Sequence, residues 1–172
     1  MPDIARMARG RRNARHRSGL SCCRVDVQGK SPVICELCIT PGGALLWQDA
    51  RCRVVLVNEP AYPGFCRVIW KTHVREMSDL DMTERAHCMQ VVFAVECVLR
   101  KILNPDKINL ASLGNMVAHV HWHIIPRFAD DPHFPQPIWA ARQRTDPPAR
   151  PELDPATLMT SLAAALKTEL DK

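Results

Sequence analysis

Three histidines alternate with apolar residues in the segment His119, Val120, His121, Trp122, His123, Ile124, Ile125. Side chains alternate faces along a strand, so an extended segment sends all three imidazoles to one surface and Val120, Trp122 and Ile124 to the other. A metal-binding or merely polar strand face accounts for any single histidine, but three in register over an apolar back point to a built site. Imidazole titrates near neutrality, so one ring can attack while its neighbour donates a hydrogen bond or a proton. Attack by a ring nitrogen on phosphorus gives a phosphoramidate that water then cleaves, which splits transfer into two steps. No organic cofactor is needed for that chemistry.

A second group of chemically useful residues lies upstream. Cys35 and Cys38 have the spacing of a zinc knuckle, which supplies half of a tetrahedral site and requires two more ligands. Cys52, Cys66, Cys88 and Cys97 sit among apolar residues and read as small core side chains. The eight cysteines are expected to be reduced thiols in a cytoplasmic protein, because no secretory segment precedes them and the chain is long enough for an apolar core. His87 falls within a helical pattern and reads as a surface or satisfied residue. His133, in Asp131, Pro132, His133, Phe134, Pro135, reads as part of a loop.

The elements that must position these residues follow from the apolar pattern. Pro41, Gly42 and Gly43 mark a turn, after which Leu45–Trp47 and Arg53–Val57 read as strands joined in a hairpin. Asn58–Gly64, with Pro60, Pro63 and Gly64, is a loop, and Phe65–Trp70 is a third strand. Asp81, Met82, Thr83, Glu84 has the form of a capping box. Apolar residues recur at helical spacing from Cys88 to Leu103, before Asn104 and Pro105 stop the pattern. Ile108–Leu113 and Val117–Ile125 are further strands, joined by a turn at Gly114 and Asn115. Leu158, Leu162, Leu166 and Leu170 define a short terminal helix over Thr157–Leu170.

Three sections result: a basic extension (1–32), a domain (33–128) and a proline-rich segment ending in the short helix (129–172). The 172 residues carry a net charge of +5, yet residues 1–30 alone hold +6, leaving 15 basic and 16 acidic residues elsewhere. That extension has few large apolar residues and is expected to be disordered. The near-neutral body lacks an aromatic stacking surface, so nucleic acid is not an expected partner. No apolar run approaches the roughly 20 residues of a membrane span.

The segment His119–Ile125 resembles the signature of the histidine triad (HIT) family. The likeness extends to Gly114, Asn115 and Val117 before it and to Pro126 and Arg127 after it, and covers about residues 33–128. It implies an α+β fold, an antiparallel β-sheet with a long packed helix, in a homodimer. It also implies that His121 attacks the α-phosphate of a purine nucleotide and forms a nucleotidyl intermediate, while His123 contacts the phosphate. His119 then either orients the nucleophile or ligates zinc. Members with an upstream cysteine pair carry a third ligand where His73 stands, so Cys35, Cys38, His73 and His119 would form one closed structural zinc site. Asn109 resembles the asparagine that contacts the nucleotide, and Trp139 lies in the segment that reaches the dimer partner in similar proteins.

The chain departs from the family pattern at several positions. Phe65 replaces a histidine near the leaving group, Asn115 a glutamine, and Met116 a hydroxyl residue at the phosphate. Val57 aligns with the aspartate that holds the ribose, which leaves Asn58 or Glu59 to bind it. A missing donor in a desolvated phosphate site can cost about a hundredfold in rate. The expected function is a nucleotidyl hydrolase or transferase acting on a phosphoramidate or phosphoanhydride. The alternatives are a dinucleoside polyphosphate hydrolase, and a catalytically weak nucleotide-binding or interaction module.

Overall fold

In a computed structural model, residues 34–151 and 153–170 are described; the extension 1–32, expected to be disordered, lies outside them. A one-turn helix α1 (Glu36–Ile39) precedes strands β1 (Ala44–Gln48), β2 (Cys52–Leu56) and β3 (Cys66–Trp70). Helix α2 (Met82–Leu103), strands β4 (Lys107–Ala111) and β5 (His121–Arg127), and helix α3 (Pro155–Leu170) complete the order. The strands form one antiparallel sheet in the order β1-β2-β3-β5-β4.

The two-residue alternation divides this sheet. Cys52 and Val54 of β2, Cys66 and Val68 of β3, and Ile124 of β5 turn toward the helices and are wholly buried. Helix α2 meets them with Val91, Val92, Val95 and Leu99. It begins at a complete capping box: Glu84 N–H donates to Asp81 Oδ1 at 2.8 Å and Asp81 N–H to Glu84 Oε2 at 3.0 Å, which satisfies two otherwise orphaned donors. It ends at Asn104, whose φ of 43° is the left-handed conformation that terminates a helix. Leu158, Leu162 and Leu166 of α3 are fully buried in the same cluster, each contributing roughly 1.5–3 kcal/mol of apolar burial. The carboxy-terminal helix therefore shares the core of the domain.

The opposite face of the sheet carries Val55, Arg67, Ile69, His121, His123 and Ile125. α1 covers one end of it, with Leu37 packed on Val55 and Ile69. The turn into β1 depends on Gly43, where a Cβ would lie 2.4 Å from the Leu56 carbonyl oxygen.

Strand limits differ from expectation mainly around the histidines. β4 stops at Ala111 rather than Leu113, and the last strand runs from His121 to Arg127 rather than from Val117 to Ile125. The physical reason is competition for backbone groups. His119 N–H donates to Val117 O at 2.8 Å, and Val120 N–H donates to Val74 O at 2.7 Å. The first folds residues 117–119 into a local turn, and the second ties Val120 to the loop before α2. Pro126 lies inside the strand opposite Ile108, and pairing continues to Arg127 with Lys107. Cys97, expected in the core, is exposed because its position on α2 faces away from the sheet.

Candidate active site and metal-ligand cluster

His121 and His123 project from β5 onto the face away from α2, opposite Ile69 and Arg67 of β3. They are 7 % and 6 % exposed, and their rings meet edge to face at 4.8 Å between centroids. His121 Nδ1 lies 2.6 Å from the His119 carbonyl oxygen. A carbonyl can only accept, so Nδ1 carries the proton and Nε2 keeps its lone pair. Burial holds the His121 imidazole below its usual pKa, the bond to His119 opposes that shift, and Arg67 reinforces it. For His123, burial, then His121, then Arg67 push the value down to about 4. Both rings are therefore neutral at pH 7, one with its tautomer fixed by the backbone.

His119 does not extend this row as a strand residue. It sits before β5, 1 % exposed, and its Nε2 donates to the Trp70 carbonyl oxygen at 2.6 Å. That fixes the other tautomer and leaves the Nδ1 lone pair facing Cys35 Sγ at 3.4 Å and Cys38 Sγ at 3.5 Å. His73 Nδ1 approaches Cys38 Sγ at 3.4 Å. One ligand atom from each of Cys35, Cys38, His73 and His119 lies within 4.8 Å of all the others. The four residues singled out as ligands thus converge into one cluster able to hold a metal ion. Three separate segments meet there, the chain around α1, the loop after β3 and the loop before β5.

Asn109 of β4 lies on the histidine face, opposite Ile125. Its side-chain oxygen accepts from Arg127 Nη1 at 2.6 Å. Arg127, 1 % exposed, also donates through Nε to Asp131 Oδ2 at 2.6 Å and through Nη2 to Asp131 Oδ1 at 3.0 Å. A further bond from Nη2 to Gln136 O at 2.8 Å fixes the segment after β5. That segment returns over the site, so that Trp139 meets His123 edge-on at 5.3 Å between centroids. Trp139 reaches this histidine within its own chain. Tyr62, packed with Phe65 and Ile125, hydrogen-bonds to His133 Nδ1; the loop histidine is thereby fixed beside the site. Phe65 packs on His123 at 5.6 Å.

Other expected positions lie apart from the histidines. Asn115 is exposed in the β4–β5 loop, and Met116 is 96 % exposed. Asn58 and Glu59 line a cavity of about 540 Å³ between the β2–β3 loop and Arg150, Leu153 and Pro155, to which no triad histidine contributes. His87 meets Asp49 at 2.7 Å and takes no part in the histidine face.

Arg67, Arg127 and Asp131 had no role assigned from the sequence. Arg67 is the one charged residue of its otherwise apolar strand, a signal that was available, although Arg53 holds the same place in β2. The Arg127–Asp131 pair is four residues apart across a strand end, a separation that carries no helical meaning there, and only the turn after β5 brings the two together.

Comparison with known proteins agrees with this architecture. The family model described as the HIT domain matches residues 43–130. An uncharacterised HIT-like protein of Saccharolobus solfataricus is 25 % identical over 95 residues, 52 % of this chain and 68 % of its own. A histidine triad protein of Bradyrhizobium japonicum superposes with a TM-score of 0.55 at 27 % identity, covering 75 % of this chain and 91 % of that one. One from Marinobacter aquaeolei gives 0.59 at 26 % identity, covering 74 % and 91 %. With its five-stranded antiparallel sheet, its long helix and two adjacent histidines on β5, the chain belongs to the HIT family.

Proposed function

We propose that this chain is a nucleotidyl hydrolase or transferase in which His121 attacks the α-phosphate of a purine nucleotide. The observation that carries the reading is the 2.6 Å contact between His121 Nδ1 and the His119 carbonyl, which leaves a neutral imidazole with its Nε2 lone pair available. In the first step this lone pair forms the N–P bond as the bond from phosphorus to the leaving group breaks. In the second, water displaces the histidine and releases the nucleotide. His123, beside it on the same face, is the phosphate contact, and Asn109 is held by Arg127 for the nucleotide.

The same reading assigns a structural zinc ion to Cys35, Cys38, His73 and His119. Tetrahedral zinc with Zn–S about 2.3 Å and Zn–N about 2.0–2.1 Å places sulfur and nitrogen ligands about 3.5 Å apart. The three S···N separations of 3.4 to 3.5 Å match that edge. Bound zinc would cross-link α1 to the loop before β5 and so hold the carbonyl that orients His121. The proposal includes a homodimer, which the position of β4 at an open edge of the sheet permits.

Mass spectrometry after brief incubation with adenosine phosphoramidate and with diadenosine tetraphosphate tests the reaction. Wild type should gain the mass of a nucleotidyl group and release product, and His121→Ala should do neither. Binding without adduct or turnover on both substrates would instead identify a nucleotide-binding module.

A further inference from the structure

Arg67 and His123 lie directly opposite each other on β3 and β5, and both carry a buried atom that the fold leaves unused. Arg67 Nε and His123 Nδ1 are buried without a hydrogen-bond partner among the described residues. Orphaned buried polar atoms are uncommon in native proteins, and two on adjacent strands at one site call for a common explanation. The guanidinium makes no ion pair among the described residues. Its one hydrogen bond there is a long 3.4 Å contact from Nη1 to the Gly42 carbonyl. Its charge lies 5.8 Å from the Phe65 ring centroid, beside His123, and partial burial strips it of water. Glu36 is the opposite charge that acts on it, and it forms no ion pair with Arg67. A desolvated guanidinium with spare donors is a strong receptor for phosphate oxygens.

We infer that Arg67 is the anion-binding residue of this site, and that it takes the phosphate which leaves when His121 attacks. This inference rests on the nucleotidyl-transfer reading and narrows its substrate to a phosphoanhydride. As the Nε2–P bond forms, the P–O bond to the leaving phosphate breaks and its electron pair stays on that oxygen. The oxygen departs as an anion, with its new charge paired to the guanidinium. An amine leaving group has a different requirement, since it must be given a proton. Arginine cannot supply one at neutral pH, and Phe65 and the neutral His123 are poorly suited to do so. A fixed cation beside an apolar ring therefore favours a leaving group that is stable as an anion.

Steady-state hydrolysis of diadenosine tetraphosphate and adenosine phosphoramidate by wild type, Arg67→Met and Arg67→Lys tests the assignment. Arg67→Met should lower kcat/KM for the phosphoanhydride about 100-fold or more and that for the phosphoramidate less than about threefold, with Arg67→Lys in between. Equal losses on both substrates, or none, would overturn it. Pyrophosphate binding by calorimetry separates this inference from the reaction itself. If wild type hydrolyses neither substrate, the nucleotidyl-transfer reading fails, and loss of pyrophosphate affinity in Arg67→Met still supports the anion seat. Unchanged pyrophosphate affinity in a variant with wild-type thermal stability removes the seat.

Discussion

Asp131→Asn changes no volume and should nevertheless be among the most destabilising single substitutions in this protein. Five N–H groups converge on the Asp131 carboxylate. Oδ2 accepts from Arg127 Nε at 2.6 Å and Phe128 N at 3.3 Å. Oδ1 accepts from Arg127 Nη2 at 3.0 Å, His133 N at 2.9 Å and Phe134 N at 2.7 Å. An asparagine must turn its NH₂ toward one set, so at least two of these bonds become donor-against-donor contacts. It also leaves Arg127, 1 % exposed, without its counter-charge. Each stranded buried group costs about 1–3 kcal/mol, and removing one partner of a buried ion pair typically costs about 3–5 kcal/mol. At roughly 3–4 °C per kcal/mol for a domain of this size, Tm should fall by about 10–15 °C. Urea unfolding followed by circular dichroism measures the loss as a shift in midpoint at unchanged slope. Asp130→Asn is the control, since Asp130 pairs with Arg150 at a half-exposed position, where such pairs are worth about 0–1 kcal/mol. A cost below about 1 kcal/mol for Asp131→Asn, or one no larger than the control's, would refute this role for the carboxylate. The acid limb should change as well. Burial pushes the Asp131 carboxyl up, but Arg127 and the His133 and Phe134 amides outweigh it and hold it below its usual value. The folded state therefore binds this proton less readily than the unfolded chain. The resulting stability is complete above about pH 4 and disappears as pH falls through the folded pKa, a loss the asparagine variant should not show.

Three further outcomes are expected. His123, whose pKa drops to about 4 from an unfolded value near 6.5, binds fewer protons folded than unfolded between those limits; thermal stability should therefore rise with pH from about 4 to 6.5, and His123→Phe should flatten that rise in melts across the range. Purified protein should contain about one zinc per chain by elemental analysis and lose thermal stability on chelation, with Cys35→Ser reproducing the loss; metal-free protein of unchanged stability would remove the ion from the account. Gly43→Ala should lower the free energy of unfolding by more than about 1 kcal/mol, read as a lower urea midpoint, because its Cβ would sit 2.4 Å from a backbone oxygen; an unchanged midpoint would mean that the turn relaxes without cost.

Periodicity and local signals alone located the five strands of the described residues, helices α2 and α3, the capping box at Asp81–Glu84 and the pair His121 and His123. Each of these rests on interactions between residues near in sequence: a two-residue alternation against an apolar back, a side chain reaching three residues along, or a helical stripe of valines and leucines. The fold class and the metal-ligand set came from resemblance, and the cluster of Cys35, Cys38, His73 and His119 agrees with it although its four members span 84 residues in the chain. Only tertiary structure decided which atom of each histidine is free. The His119 carbonyl and the Trp70 carbonyl select opposite tautomers for His121 and His119, and neither acceptor can be known before the chain is folded. The same holds for His119 leaving the strand, because Val74 lies far away in sequence and competes for the Val120 amide. Arg67 was visible as a charge in an apolar strand, but its meaning depended on the register that sets it opposite His123 and on burial that leaves its Nε without a partner. Local chemistry thus determined which residues could act, and long-range packing determined their protonation, their neighbours and the direction in which they face.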